Sequence, residues 1–170
     1  PIYGQFMLTS NGPKIIEVNA RFGDPEAMNV LPLLQNDFVD ICLSMVDGSI
    51  GRKRIRFQGK ATVCKYVVPE GYGVKSMVHQ PIRVNEDAVK KIGALLFYAS
   101  VDKENDVIYT TSSRSLAVVG LGDNIFEAEQ LCEEGLKHVE GDHIFIRHDI
   151  GTRRLIEKRI NHMKQLRGEA

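Results

Sequence analysis

Glu17-Val18-Asn19-Ala20-Arg21-Phe22-Gly23-Asp24-Pro25-Glu26 comes after a hairpin pattern and before a helical one, with oxygen ligands and charge concentrated at the junction. Upstream, Ile2 to Thr9 and Lys14 to Asn19 read as two strands joined through Asn11-Gly12. Side chains alternate between the faces of a strand, so Ile16 and Val18 share one face and Glu17 and Asn19 the other. A Ser10-Asn11-Gly12 loop with Gly in the left-handed position would set Phe6 opposite Ile16 and Gln5 opposite Glu17. Directly opposed residues have Cβ atoms about 5 Å apart, so Gln5, Glu17 and Asn19 would form one oxygen-rich wall. A two-residue Asn11-Gly12 loop would shift the register by one and turn Gln5 to the wrong face.

One carboxylate with two amide carbonyls is a hard donor set, suited to Mg²⁺ or Mn²⁺ shared with water and substrate phosphates, and unsuited to zinc. The same residues can equally be the solvated face of a half-buried strand. The residues from Ala20 to Glu26 favour a site. Asp24 is a good helix N-cap, Pro25 suits the first helical position, and Glu26 suits the positive end of the helix dipole. Gly23 allows a sharp turn, free amides there can hold an anion, and Arg21 adds a planar two-pronged donor. Capping alone explains Asp-Pro-Glu; it does not explain the Arg and Gly between a ligand strand and the cap.

This stretch resembles the signature of the phosphoribosylamine–glycine ligase (glycinamide ribonucleotide synthetase) family of the ATP-grasp superfamily. Tyr3-Gly4-Gln5-Phe6-Met7-Leu8-Thr9 before it and Arg147-His148-Asp149-Ile150-Gly151 after it resemble the same family in order and spacing, so the likeness spans essentially the whole chain. Mixed strand and helix patterns with several antiparallel pairs give an α+β class, and the resemblance implies its division: the C-terminal part of an ATP-grasp domain over residues 1–54, a small mixed or antiparallel C-terminal domain over 55–152, and a C-terminal helix over 153–170. It also implies ATP-dependent joining of glycine to 5-phosphoribosylamine through a glycyl phosphate, in purine synthesis. Metal binding would fall to Gln5, Glu17 and Asn19. Arg21, as the catalytic group, would bind a substrate anion with Gly23 and Asp24. The sequence departs from the family pattern at Ser112-Ser113-Arg114-Ser115, where a Gly-Gly-Arg-Val-like turn is expected, and at Met28, where Gln or Glu is frequent.

The chain has 170 residues, beginning at Pro1 almost inside a strand, which suggests a piece of a longer polypeptide. It contains no recognisable ATP-cradling Gly-rich loop or nucleotide-binding Lys. It should therefore need the N-terminal part of the same enzyme as its partner and be inactive alone. Lys+Arg and Asp+Glu both number 22, so no overall field draws nucleic acid or a membrane surface. No apolar run approaches the roughly 20 residues needed to cross a bilayer. A cytoplasmic location is expected. Cys42, Cys64 and Cys132, odd in number and set among apolar neighbours, read as buried reduced thiols. The five histidines show no metal-ligand spacing, and Arg147 with Asp149 reads as a structural ion pair.

Between these landmarks, a helix is expected over Pro25–Leu34, stopped by Pro32. A second, capped by Asn36 or Asp37, would place Phe38, Ile41, Cys42, Met45 and Val46 in the core and end at Gly48. The basic run from Ser49 to Gly59 reads as a crossing between subdomains. Strands are expected over 61–68, 81–84, 94–101, 107–111, 116–121 and 144–147, with Asp102–Asp106 as a hairpin turn. Helices are expected over 86–92, from Asn124 through Gly141 behind a capping box, and over 153–166. Two rival readings stand beside the ligase. One is another ATP-grasp ligase or carboxylase, sharing the metal wall. The other is a non-catalytic binding or assembly module on the same scaffold.

Overall fold

A computed structural model of the chain describes residues 1–169; Ala170, the last residue of the expected C-terminal helix, lies outside the described residues. The fold is α+β with every strand pairing antiparallel. A hairpin of β1 (Tyr3–Thr9) and β2 (Gly12–Asn19) leads into α1 (Glu26–Val30), a 3₁₀ turn at Leu31–Leu33 that contains Pro32, and α2 (Phe38–Val46). After the basic crossing come β3 (Ala61–Pro69), β4 (Pro81–Val84), α3 (Glu86–Lys91), β5 (Leu95–Tyr98), β6 (Val101–Glu104), β7 (Val107–Thr110) and β8 (Leu116–Gly122). The chain continues through α4 (Ile125–Leu136), β9 (Val139–Glu140), β10 (Ile144–Ile146) and α5 (Arg153–Arg167). The strands form the hairpin and two four-stranded sheets, ordered β10-β3-β8-β5 and β6-β7-β4-β9.

The first of these sheets is covered on both faces, and this positions the loop at residues 21–25. On one face α4 lies over Val63, Val67, Leu116 and Val118, which bury with Ala128, Cys132 and Leu136. The approach is closest at Gly120, where a Cβ would collide with the Ala128 carbonyl and come within 2.5 Å of the Cys132 nitrogen. On the other face Cys64, Ala117 and Val119 bury with Met28 of α1 against them. Thr62 Oγ1 donates to the Asn29 carbonyl at 3.0 Å and ties α1 to β3. A buried Leu or Val side chain stabilises by about 1.5–3 kcal/mol, so these two layers dominate the packing energy.

Several boundaries differ from expectation. The hairpin turns through Ser10-Asn11, with Thr9 paired to Gly12 and Gly12 at φ +85. Phe6 therefore faces Ile15, not Ile16; a bulge then restores Gln5 to Glu17. Bulges spend one extra residue to re-aim those beyond them. The helix expected over 25–34 shortens to α1 and the 3₁₀ turn, because Pro32 cannot donate to a helical ladder. The expected strand 94–101 breaks after Tyr98. Asp102–Glu104 belongs to β6 and the turn is Asn105-Asp106, both residues at positive φ. Val139–Glu140 leaves the helix to pair with β4.

In α2, Asp37 caps by accepting from the Asp40 N–H at 3.0 Å, as expected, and Gly48 lies just beyond at φ +76. The side chains buried there are Ile41 and Ser44; Phe38, Cys42, Met45 and Val46 are exposed, so the stripe is not a core within this chain. Cys42 likewise corrects the expectation of three buried thiols, since only Cys64 and Cys132 are buried. No helix among the described residues is long and apolar enough to cross a membrane.

Candidate metal wall and substrate-anion loop

The wall forms from cross-strand pairing. Gln5 opposes Glu17 and Tyr3 opposes Asn19, so all four side chains share one face of the hairpin. The Asn19 amide Nδ2 is buried and has no hydrogen-bond partner. The two ends of an amide exchange by a flip, so the wall carries a buried amide committed to no protein group. Among the described residues no group of three or more His, Cys, Asp or Glu could hold a metal ion. The donor set at the wall is one carboxylate with two amides, oxygen-rich and incomplete by itself. That fits a hard divalent cation completed by water and phosphate oxygens.

The next turn is shaped by Tyr3. Its hydroxyl donates to Glu26 Oε1 at 3.1 Å, and that bond, with lesser repulsion from Glu26 and Glu17, holds the phenol above its ordinary range. Gly23 is buried beneath this pair: a Cβ would run into the Glu26 carboxylate and come within 3.0 Å of the Tyr3 ring. A larger residue here would have to displace the Glu26 carboxylate from Tyr3; the φ of Gly23 is not positive. The N–H groups of Gly23 and Asp24 donate to no protein acceptor among the described residues. Arg21 is exposed, its Nη1 donating to the Phe22 carbonyl at 3.0 Å, and it has no acidic partner among the described residues.

Asp24 does not cap the helix. The residue flanking α1 is Pro25, after a cis Asp24-Pro25 peptide, with no side-chain cap. The Asp24 carboxylate instead accepts from Tyr66 Oη at 2.6 Å and lies 3.5 Å from Arg114 Nη2, while Arg114 Nη1 donates to the Asp24 carbonyl at 3.1 Å. Arg114 also lies over the Tyr66 ring, 5.1 Å from its centroid. Burial, and then the bond to Asp24, push the Tyr66 phenol well above its ordinary range, so it stays a donor. Sequence reading missed Tyr66 and saw Arg114 only as part of a departure from a pattern. Tyr66 looks like any aromatic residue in a strand, and its partner lies 42 residues away.

The remaining motif, at Arg147–Gly151, packs as expected. Arg147 donates from Nε and Nη2 to the two Asp149 oxygens at 2.5 and 2.7 Å, which holds that carboxyl below its usual range. Behind it sits Lys65, fully buried, its ammonium bonded to Glu129 Oε1 at 2.7 Å, Glu133 Oε1 at 2.5 Å and the His148 carbonyl at 2.9 Å.

Comparison with known proteins agrees with this architecture. The family model described as the phosphoribosylglycinamide synthetase ATP-grasp (A) domain matches residues 2–27, the hairpin and loop, which makes this region part of an ATP-grasp protein. The model of the C domain of the same synthetase matches residues 62–153. The chain belongs to the phosphoribosylglycinamide synthetase family. It is 56% identical over 167 residues to a protein of Methanocella arvoryzae and 54% identical over 166 to one of Methanothermobacter thermautotrophicus, both named phosphoribosylamine–glycine ligase. Each alignment covers 98% of this chain and 37% of the relative, so the chain spans little more than a third of those proteins. The crystal structure of phosphoribosylamine–glycine ligase from Thermotoga maritima superposes with a TM-score of 0.70 at 26% identity, covering 87% of this chain and 36% of that one.

Proposed function

We propose that this chain supplies the metal wall and the substrate-anion loop of an ATP-dependent ligase that joins glycine to 5-phosphoribosylamine, giving glycinamide ribonucleotide, ADP and phosphate. In this reading residues 1–54 close an ATP-grasp domain, 55–152 form the C-terminal domain, the helix Arg153–Arg167 follows it, and the N-terminal part of the same enzyme is the partner. The enzyme acts in the cytoplasm. The observation that carries the proposal is the juxtaposition of Gln5, Glu17 and Asn19 on one hairpin face with a loop whose Gly23 and Asp24 amides are uncommitted.

The chemistry is two displacements. A glycine carboxylate oxygen attacks the γ-phosphorus of ATP, the bond to the bridging oxygen breaks, and ADP leaves. The amine of phosphoribosylamine then attacks the carbonyl carbon of the glycyl phosphate and expels phosphate, the amine losing a proton. Phosphoryl transfer of this kind rests on positioning and charge neutralisation more than on a protein nucleophile. Glu17, Asn19 and Gln5 would hold the divalent cations, Mg²⁺ or Mn²⁺, which supply positive charge to the polyphosphate. Arg21 and the Gly23 and Asp24 amides hold the substrate anion beside the transferred group. The Tyr66–Asp24–Arg114 clamp fixes the loop against the C-terminal sheet.

The test is Glu17→Ala in a polypeptide of full family length containing this chain. Glycine-dependent ADP release should fall below one-hundredth of the parent rate while the thermal unfolding temperature is kept. A near-normal rate at saturating Mg²⁺ would contradict the ligand assignment.

A further inference from the structure

The zero net charge of the chain hides a segregation. The 15 residues of α5 hold six cations, Arg153, Arg154, Lys158, Arg159, Lys164 and Arg167, against one acid, Glu157. Of the 22 cations and 22 acids in the chain, 16 and 21 lie elsewhere, so α5 carries +5 and the rest −5. The C-domain family model ends at residue 153, so the helix extends beyond it. α5 is nonetheless well defined at both ends. Thr152 Oγ1 accepts from the Leu155 N–H at 3.4 Å. Gly168, at φ +69, turns the chain so that its N–H and that of Glu169 donate to the Gln165 and Lys164 carbonyls at 3.1 and 2.9 Å.

Nothing within the described residues uses this charge. Arg153 lies over the Phe126 ring, 4.2 Å from its centroid. The other five cations are exposed, and among the described residues none has an ion-pair or hydrogen-bond partner. Like charges three or four apart oppose a helix, as Arg154 with Lys158 and Lys164 with Arg167 do here. The charge destabilises the chain by itself, and an external anion would offset it.

The two sides of α5 differ, at about 100° of turn per residue. Leu155, Ile156, Met163 and Leu166 share one side and are partly covered; Ile160 is the one exposed apolar residue of the helix. The opposite side presents Arg154, Lys158, Asn161, His162 and Gln165, every one exposed and able to donate, with Arg159 and Lys164 flanking it. One exposed Ile is too little apolar surface to enter a bilayer, and a side without apolar residues lacks the core of a protein interface. Cations with amides between them suit nucleic acid, where Lys and Arg reach phosphates and Asn and Gln reach base edges. A helix with its side chains is about 10–12 Å across, which fits the roughly 12 Å major groove of B-form DNA and not the narrow one of A-form RNA.

We propose that the outward side of α5 is a docking surface for duplex DNA, with Arg154, Lys158, Arg159 and Lys164 on phosphates and Asn161 and Gln165 toward the groove floor. The proposal is independent of the ligase reading above.

Fluorescence anisotropy of a labelled, mixed-sequence DNA duplex of roughly 20 base pairs, titrated with this chain over a KCl series, tests it. Each neutralised phosphate adds about −0.9 to the slope of log K against log salt. Four cations therefore predict a slope of about −3.6, roughly a hundredfold loss of affinity between about 50 and 200 mM. Arg154→Gln combined with Lys158→Gln should halve the slope to about −1.8. Both side chains are exposed and unpaired, so the unfolding temperature should be kept. Glu157→Gln removes the one acid beside the surface and should tighten binding severalfold. No binding at about 50 mM salt, a slope untouched by the double substitution, or weaker binding by Glu157→Gln would each overturn the proposal. So would binding to duplex RNA or to phosphatidylserine vesicles as tight as that to DNA.

Discussion

At the scale of single residues, side chains with strong partners override local preference. Asp24 sits where a cap belongs by sequence, yet a phenol and a guanidinium from 42 and 90 residues away claim its oxygens. Tyr66→Phe removes one of those bonds, made to a charged acceptor, and should lower stability by about 1.5–3 kcal/mol. In the proposed ligase it should also raise the KM for phosphoribosylamine more than it lowers kcat, because the loop is misplaced while the proposed metal wall is intact. Equilibrium denaturation and initial-rate kinetics check the two parts. Ser115 is the opposite case: its hydroxyl is fully buried with no partner. Ser115→Ala removes an orphaned polar group without adding atoms and should stabilise by about 1 kcal/mol, read from the denaturant midpoint.

Among the elements, β3 shows how a charge is kept inside a strand. Lys65 lies between Val63 and Val67 on the face under α4, and all three ammonium protons have acceptors. Removing one partner of such a buried cluster costs about 3–5 kcal/mol, so Lys65→Met should lower the unfolding temperature sharply. Burial alone would raise the Glu133 carboxyl, but bonds from Lys65 and His148 hold it below its ordinary 4.5. A carboxyl lowered in the folded state stabilises above its unfolded pKa and loses that contribution as pH falls through the folded one. The unfolding temperature should therefore be flat between about pH 7 and 5 and decline below about 4.5, with a shallower decline in Lys65→Met; melting curves across pH measure this.

The elements also show what was legible in the sequence. Strands β3, β4 and β8 and the caps Asp37 and Asn124 arise from short apolar runs bounded by turn residues and from side-chain chemistry, which are local. The Gln5–Glu17 pairing was legible, but by a route that differed in detail. A shorter turn shifted the register by one and the bulge at Ile16 shifted it back, and bulges leave no periodic trace. Lys65, Tyr66 and Arg114 were not legible as a system, because each depends on partners brought together by the sheet and α4. The α2 stripe was misread for a related reason. Amphipathic spacing tells which residues want cover, and not whether this stretch of chain provides it.

At the scale of the whole molecule, the two halves differ in how they are covered. The sheet β10-β3-β8-β5 is enclosed on both faces, while the hairpin leaves Phe6, Leu8, Ile15 and Val18 exposed on its apolar face, and α2 leaves Val39, Leu43 and Val46 exposed. Relatives carry this segment as 37% of a longer polypeptide, and the proposed ligase needs that remainder to bring ATP to the wall. The central claim is that this chain completes a ligase site. The most direct measurement is ADP release with ATP, Mg²⁺, glycine and phosphoribosylamine, by this chain alone and then with the N-terminal portion of the enzyme added as a separate polypeptide. Glycine-dependent turnover in the mixture and none from the chain alone is the predicted result. No turnover from two folded partners would contradict the claim.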